Sequence, residues 1–183
     1  AGHHMIFSDD QQAMREAAHR FSVERLLPEY QRRERTGRLD RALVLEMGRL
    51  GFIGVDLPQE YGGLGADGVT TGMLMETLAY GDFNVSYVQL MASLMGSIIV
   101  KNAAPALAAH WVPRIVSGEA IIALGLTEPR GGSDAANLQL RARRDGGHFV
   151  LNGEKTSISF ADQADAAVVF ARTGAVEDGA GGV

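Results

Sequence analysis

The stretch Leu124-Gly125-Leu126-Thr127-Glu128-Pro129-Arg130-Gly131-Gly132-Ser133-Asp134 decides how this chain is interpreted. The apolar run 120–126 predicts a strand, and Pro129 ends it because proline fixes φ and has no N–H to donate to a sheet. Two glycines then permit a tight turn. A strand end beside such a turn exposes backbone N–H groups and the hydroxyls of Thr127 and Ser133, which suits an anion or a polar ring edge. The stretch favours a site for a phosphate-bearing cofactor, with an ordinary strand and turn as the alternative.

Composition and charge limit the class of protein. The chain has 183 residues, enough for one domain or two small ones, and 46% of them are hydrophobic, as in a globular protein with a core. The net charge of −5 argues against a nucleic-acid partner. No cysteine is present, which excludes disulfides and thiolate metal sites and favours a cytoplasmic protein. No cleavable signal is predicted, because the start lacks a basic segment followed by an apolar core.

The first five residues are predicted to be an expression scar. Ala1 and Gly2 are followed by His3 and His4, directly before Met5. The two histidines are therefore not offered as metal ligands, and no metal site is predicted.

The segment 6–119 predicts a helical domain with five helices. Ser8-Asp9-Asp10-Gln11 fits a capping box for the first helix, which is expected to end at Pro28. Asp40 is expected to cap the second helix. The segment 52–57 that follows is apolar and is expected to be extended. The third, fourth and fifth helices are predicted over 70–80, 85–100 and 105–117.

The fourth predicted helix, 85–100, is apolar or small on all sides, which is typical of a buried helix. Its length approaches that of a membrane span, but interspersed polar residues such as Gln89 and Ser93 argue against one. Small residues such as Gly96 leave room either for a ligand groove or for close helix packing. In the fifth helix, Trp111 is expected to lie in the core.

After Gly118 the hydrophobic period changes from helical to alternating, which predicts strands. Asp145-Gly146-Gly147 is a hairpin signal. Strands are predicted over 120–127, 138–143, 148–151, 156–159 and 166–172, and the tail 173–183 is expected to be a loop. Helices followed by strands predict an α+β fold, with a helical domain over 6–119 and an incomplete β-domain over 120–183.

A second stretch, Asn152-Gly153-Glu154-Lys155-Thr156-Ser157-Ile158-Ser159, strengthens the interpretation. Together with the first stretch and with Pro58-Gln59-Glu60-Tyr61-Gly62-Gly63, it resembles the acyl-CoA dehydrogenase family, in which the second motif reads Asn-Gly-x-Lys-x-Trp-Ile-Thr. The resemblance covers residues 6–172. It implies an N-terminal helical domain followed by a β-barrel-like middle domain. The C-terminal helical bundle of that family is missing from this sequence.

The resemblance implies that FAD is the cofactor and indicates which residues bind it. Leu124, Leu126 and Thr127 match positions that meet the flavin ring, and Thr127 would hydrogen-bond the pyrimidine edge. Ser133 matches a serine near the cofactor pyrophosphate and the CoA arm, so it is implied in substrate binding as well. Ser159 matches a threonine near flavin N5, the atom that accepts hydride, and it keeps the hydroxyl.

Two positions depart from the family pattern. Ser157, also counted among the cofactor-binding residues, stands where the family commonly has an aromatic residue packed by the flavin. Either a neighbour such as Phe160 compensates, or the pocket serves a bulkier or more polar acyl group. Arg130 stands where glycine is common, and it either pairs with a phosphate or faces solvent.

The activity implied by the resemblance is α,β-dehydrogenation of an acyl-CoA thioester, with hydride transfer to flavin N5. In the family a glutamate base removes the α-proton, and it usually lies in the C-terminal domain. No residue of this chain is assigned as that base, because the neighbours of Glu128 indicate a structural role. The 183-residue chain alone is therefore expected to be an inactive fragment.

The resemblance also implies partners. These are an acyl-CoA substrate, an electron-transfer flavoprotein as acceptor, and a homotetramer when the protein is full length, with neither a membrane nor nucleic acid as a partner. Two alternatives remain open: a flavin monooxygenase or oxidase of the same fold, and a non-catalytic relative that binds acyl-CoA.

Overall fold

The chain divides into two compact units, Ala1–Ile121 and Ile122–Val183, and a computed structural model describes residues 7–183. The first unit is helical and the second contains the strands, which confirms the predicted order of a helical domain followed by a sheet-containing one. The predicted expression scar, with His3 and His4, lies outside the described residues.

The helical unit holds six α-helices within residues 7–121, one more than predicted. They are α1 (Asp9–Phe21), α2 (Tyr30–Thr36), α3 (Arg41–Arg49), α4 (Gly68–Gly81), α5 (Phe83–Asn102) and α6 (Pro105–Val116). The predicted capping box of α1 is confirmed, since Gln11 N donates to Ser8 Oγ (3.2 Å) and Ser8 N donates to Gln11 Oε1 (2.9 Å). Asp40 caps α3 as predicted, accepting from Ala42 N (2.9 Å).

The predicted helix end at Pro28 is wrong. A π-helical turn, Ser22–Leu26, and a 3-10 turn, Leu27–Glu29, continue the helical path from α1 to α2. Pro28 is tolerated because it lies in the first turn of a new helical segment, where an N–H has no partner within that segment.

α5 is long and apolar enough to cross a membrane by length and composition, and half of its apolar stretch is buried inside the protein. Gln89 is fully buried there, and its amide accepts from Gly54 N (2.8 Å) and donates to Ser93 Oγ (3.1 Å). A Cβ on Gly96 would lie 2.4 Å from Leu57 Cδ1. Close packing, not a ligand groove, therefore explains Gly96, and the burial of α5 is that of a core helix.

The segment 52–57 is buried but not extended, because turns and bends replace the predicted extended run. Leu57 N donates to Gly54 O (3.0 Å), so the chain reverses within it. The Pro-x-Glu-x-Gly-Gly sequence follows, and its last glycine lies directly on this turn. A Cβ on Gly63 would lie 2.0 Å from Leu57 O. The second glycine of the motif is thus required by packing within the helical unit.

Gly63→Ala is expected to destabilise the chain by about 3 kcal/mol, because the backbone of the buried turn must move to admit the methyl group. Gly72→Ala is the matched control. No neighbouring atom lies within 4 Å of a Cβ on Gly72 in α4, so it should stabilise the helix by about 0.5–1 kcal/mol. Urea unfolding of both variants checks the pair. Equal midpoints for Gly63→Ala and the unmodified chain would contradict the packing argument.

The prediction that Trp111 lies in the core is wrong, because this side chain is only half-buried. Ala108, Val112 and Ile115 occupy the buried face of α6 instead. Arg114 Cζ lies 5.3 Å from the centroid of the indole ring, which provides a cation–π contact.

The β unit contains four strands within residues 122–183. They are β1 (Ile122–Gly125), β2 (Arg141–Asp145), β3 (His148–Asn152) and β4 (Ala166–Val169). β1 and β4 pair in parallel, and β2 and β3 pair antiparallel. Asp145 lies opposite His148 across the two glycines, which confirms the predicted hairpin.

Three sequence predictions in the β unit are wrong. The segment 156–159 is not a strand, because Ser157 (φ 56°) leaves the extended region. β2 begins three residues later than predicted, since Leu138 and Leu140 are buried ahead of the ladder. The tail is not entirely a loop but contains a 3-10 segment, Val176–Gly182.

Candidate cofactor site

The turn after β1 is held by two backbone hydrogen bonds. Glu128 N donates to Gly131 O (3.2 Å), and Gly131 N donates to Glu128 O (2.9 Å), with Pro129 and Arg130 at the tip. Gly131 has φ 140°, a conformation that side-chain-bearing residues rarely adopt. The predicted strand-then-turn geometry is therefore present, although β1 already ends at Gly125.

Donors without protein partners lie on both sides of this turn in the chain. Within residues 7–183, no group bonds the amides of Gly132 and Ser133 or the hydroxyls of Thr127 and Ser133. Gly132 lies against Thr127, and a Cβ there would be 2.9 Å from Thr127 Oγ1. The absence of a side chain at Gly132 thus keeps the Thr127 hydroxyl uncovered. Such a set of free N–H and O–H groups can receive an anion or the polar edge of a ring.

A buried ion pair joins the two sequence motifs. Lys155 Nζ donates to Glu128 Oε1 (2.9 Å) and to Leu126 O (3.0 Å). The two charged side chains are 9% and 7% exposed, so water hardly screens them. Next to the pair, Thr156 N donates to Thr127 O (2.9 Å). The motif segments therefore lie side by side over Leu126–Glu128 and Lys155–Thr156.

The Glu128 carboxylate is ionised. Burial alone raises the pKa of Glu128, but hydrogen bonds from Lys155 Nζ, Leu140 N and Gln139 N, and the positive charge of Lys155, lower it by more. The amides of Gln139 and Leu140 donate at 2.6 and 2.8 Å. With the lysine and two amides already bound, this carboxylate is not available as a base.

The predicted site residues fall into two groups. Leu124 lies in β1 opposite Val168, and the carbonyl of Leu126 is taken by Lys155. Thr127 is half-buried beside Thr156, while Ser133, two residues after the turn ends at Gly131, is exposed. The structure brings the Thr127 segment together with the start of the second motif, whereas no hydrogen bond joins Ser133 to that motif within the described residues.

Ser157 and Ser159 are exposed and follow the contact made by Lys155 and Thr156. Their hydroxyls bond no group among residues 7–183. Ser157 (φ 56°) and Phe160 (φ 59°) both adopt the left-handed region, which is uncommon for residues with side chains and is concentrated at functional sites. The backbone of the second motif is therefore kinked where the two serines project.

Sequence reasoning missed Lys155 and Arg172. The signal for Lys155 was its position within the second motif, two residues after the Asn-Gly turn. Arg172 is 1% exposed, and its guanidinium donates to the carbonyls of Leu138 (2.9 Å), Ala175 (2.7 Å), Gly179 (3.1 Å) and Ala136. It thereby links the segment 136–138 to the segment 175–179. No local sequence pattern predicts such a role.

Surface pockets lie both beside the turn and in the helical unit. A pocket of about 300 Å³ opens beside the turn and is lined by Arg130, Gly131 and Asp134, among others. A larger open groove of about 790 Å³ lies in the helical unit between α1 and α4, and it mixes Arg15, His19 and Tyr80 with acidic residues. Of these two, the smaller pocket adjoins a motif and the larger one does not.

The fold is α+β. Hydrogen-bond donors without protein partners lie just after a strand, and the second motif is bonded beside them. This arrangement is typical of a cofactor-binding protein. Residues 8–119 match the family description "Acyl-CoA dehydrogenase, N-terminal domain", and residues 123–183 match "Acyl-CoA dehydrogenase, middle domain". The chain belongs to the acyl-CoA dehydrogenase family, as its motifs predicted.

Curated relatives and solved structures agree with this assignment. Acyl-CoA dehydrogenase FadE12 of Mycobacterium tuberculosis is 34% identical over 92% of this chain and 43% of its own length. The mitochondrial isovaleryl-CoA dehydrogenase of Pongo abelii is 32% identical over 91% of this chain and 40% of its own length. A glutaryl-CoA dehydrogenase of Mycobacterium smegmatis in complex with FADH2 superposes with a TM-score of 0.86, at 32% identity, over 91% of this chain and 43% of its own. The chain thus spans less than half the length of these relatives.

Proposed function

We propose that this chain provides part of the FAD and thioester site of an acyl-CoA dehydrogenase, an oxidoreductase that removes hydrogens from the α and β carbons of an acyl-CoA. The observation that carries the proposal is the juxtaposition of two motifs by the Glu128–Lys155 pair, beside hydroxyls and amides without protein partners. FAD, when bound, supplies the hydride acceptor at flavin N5.

The donor set of the chain suits that cofactor. A flavin has a polar edge that accepts hydrogen bonds, and a dinucleotide carries a charged pyrophosphate. The Thr127 hydroxyl and the Gly132 and Ser133 amides can meet these groups without losing a protein partner, since they have none among the described residues. Gly132 leaves the required space beside Thr127.

Each proposed residue has a separate role. Thr127 donates to the pyrimidine edge, where negative charge gathers on reduction, and donors aimed at developing charge contribute strongly to rate. Ser159 donates near the hydride-accepting atom, while Leu124, Leu126 and Ser157 contact the ring. Ser133 binds near the pyrophosphate and the CoA arm. Ser157, which replaces a bulky aromatic residue, leaves space beside the ring for the acyl group.

The base is not proposed among these residues. Glu128 is already bound to one ammonium and two amides, so its carboxylate cannot also take a proton from the α carbon. We propose that the whole protein contains a glutamate base outside this chain, uses an electron-transfer flavoprotein as acceptor, and acts as a cytoplasmic homotetramer in the breakdown of fatty or alicyclic acids. No single acyl chain is proposed within that class, because the named relatives carry different acyl groups in their names.

Thr127→Val tests the cofactor site, because valine keeps the shape of threonine and removes the hydroxyl. The dissociation constant for FAD should rise about tenfold, the effect of losing one hydrogen bond of about 1.4 kcal/mol. Quenching of flavin fluorescence on titration measures it. Thr173→Val, an exposed position in the same unit, is the control and should bind FAD like the unmodified chain. Equal affinity of the two variants would contradict the role of Thr127.

The reaction itself is tested on the natural gene product loaded with FAD. Anaerobic addition of acyl-CoA thioesters should bleach the visible flavin absorbance, and the reduced protein should react only slowly with oxygen. Fast reoxidation by oxygen would favour the oxidase or monooxygenase alternative. Binding of thioester without bleaching would favour a non-catalytic acyl-CoA-binding protein.

A further inference from the structure

We propose that Glu128 and Lys155 are a positioning pair, which sets how the Thr127 segment lies against the segment that bears Ser157 and Ser159. This inference rests on the proposed function, because the hydroxyls it aligns are those proposed to bind FAD. Neither member of the pair is proposed to touch the cofactor.

The contacts of the pair bracket Thr127. Lys155 Nζ reaches the carbonyl of Leu126 on one side and the carboxylate of Glu128 on the other (3.0 and 2.9 Å). Thr156 N then bonds the carbonyl of Thr127 itself (2.9 Å). Residues 126–128 of the first motif are thus hydrogen-bonded to residues 155–156 of the second. The Thr127 hydroxyl takes no part in these bonds.

The same carboxylate also binds a third segment. Glu128 accepts from Gln139 N and Leu140 N, so the turn that carries the free amides is tied to the chain entering β2. Each of these bonds is directional, and a displacement of Lys155 or Glu128 by an ångström breaks several of them. The pair therefore determines the register between the segments as well as their contact.

Stability alone does not account for this pair. Burial of two charges costs free energy that their attraction repays only in part, and apolar replacements are often as stable. Directly after the pair, Ser157 and Phe160 hold positive φ values that cost free energy and persist only where the flanking chain is anchored. Lys155 and Thr156 are that anchor on the N-terminal side. The pair thus holds a kinked backbone that directs the two serines.

The double variant Glu128→Gln with Lys155→Met tests the proposal, because it removes both charges together and leaves no lone buried ion. It should remain folded by circular dichroism. Amide hydrogen exchange at Thr156 should accelerate at least tenfold, and the dissociation constant for FAD should rise at least tenfold. Lys101→Met, at an exposed lysine of α5, is the control and should change neither quantity. Lys155→Arg keeps the charge and replaces the ammonium by a longer, planar group, so it leaves no lone buried ion. Read by the same exchange measurement, it covers the case in which the double variant fails to fold.

The outcomes separate the two proposals. Unchanged exchange at Thr156 in the variants would overturn the positioning role, and so would faster exchange with unaltered FAD affinity. Failure of the natural gene product to bind FAD would instead contradict the proposed function, while the exchange at Thr156 would still decide whether the pair sets the register.

Discussion

Arg172→Met is expected to lower the free energy of unfolding of the β unit by about 3–5 kcal/mol. The arginine is 1% exposed and donates to four backbone carbonyls, from Ala136, Leu138, Ala175 and Gly179. Methionine fills much of the volume but donates nothing, so buried carbonyls lose their partners at about 1–3 kcal/mol each, partly offset where water enters. Thermal unfolding and amide exchange of the strands measure the loss.

Arg143→Met provides the matched control for this prediction. Arg143 lies on β2, is 67% exposed and meets Asp145 at 3.4 Å, an arrangement that contributes at most about 1 kcal/mol. Arg172→Lys should fall between the two, because an ammonium has three donors and lacks the planar fork of the guanidinium. If Arg172→Met were no less stable than Arg143→Met, the buried guanidinium would not be what holds the chain end.

Glu128→Gln is expected to cost about 3–5 kcal/mol at neutral pH, because it leaves the buried Lys155 ammonium without a counter-charge. The glutamine amide also places an N–H₂ group against one of the two backbone donors, Gln139 N or Leu140 N. Glu154→Gln, in the same motif but exposed, should change stability by less than about 0.5 kcal/mol. Urea unfolding of both variants at neutral pH compares them.

The pH dependence of this loss follows from the pKa of Glu128. The folded state lowers the pKa of Glu128 below its ordinary value of about 4.3, so the stabilisation is fully present above that value. It declines as the pH falls through the lower folded-state pKa, where the carboxylate finally takes up a proton. The stabilities of the unmodified chain and Glu128→Gln should therefore differ by a constant amount from pH 7 to about pH 5 and then converge in acid. A constant difference down to pH 2 would contradict the ionised pair.

The local elements were predicted where short-range chemistry decides them. The Ser8 capping box, the Asp40 cap and the two-glycine hairpin each depend on residues within a few positions of one another, and all three are confirmed. Errors arose where a local signal was ambiguous. Pro28 was interpreted as a helix end, although proline is also accepted in the first turn of a new segment.

In the candidate site, too, the features that depend on neighbouring residues were predicted, and those that depend on distant contacts were not. The motif residues around Thr127 and Ser159 were recognisable from the sequence, and the free donors could be expected from a strand end beside a glycine turn. The kink at Ser157 and Phe160 was not expected, because 156–159 has the alternating composition of a strand and only the surrounding contacts hold φ positive.

The sequence by itself determined the order of a helical domain and a sheet-containing one, the family, and the two motif segments. Hydrophobic period, caps and turns are local, and family motifs are contiguous. The tertiary structure alone decided that Lys155 meets Glu128, 27 residues earlier, and that Arg172 binds the carbonyl of Leu138, 34 residues earlier. Such pairs depend on which distant groups become buried together, where charges and carbonyls must find partners. Burial of this kind is a property of the folded chain and not of any short stretch of it.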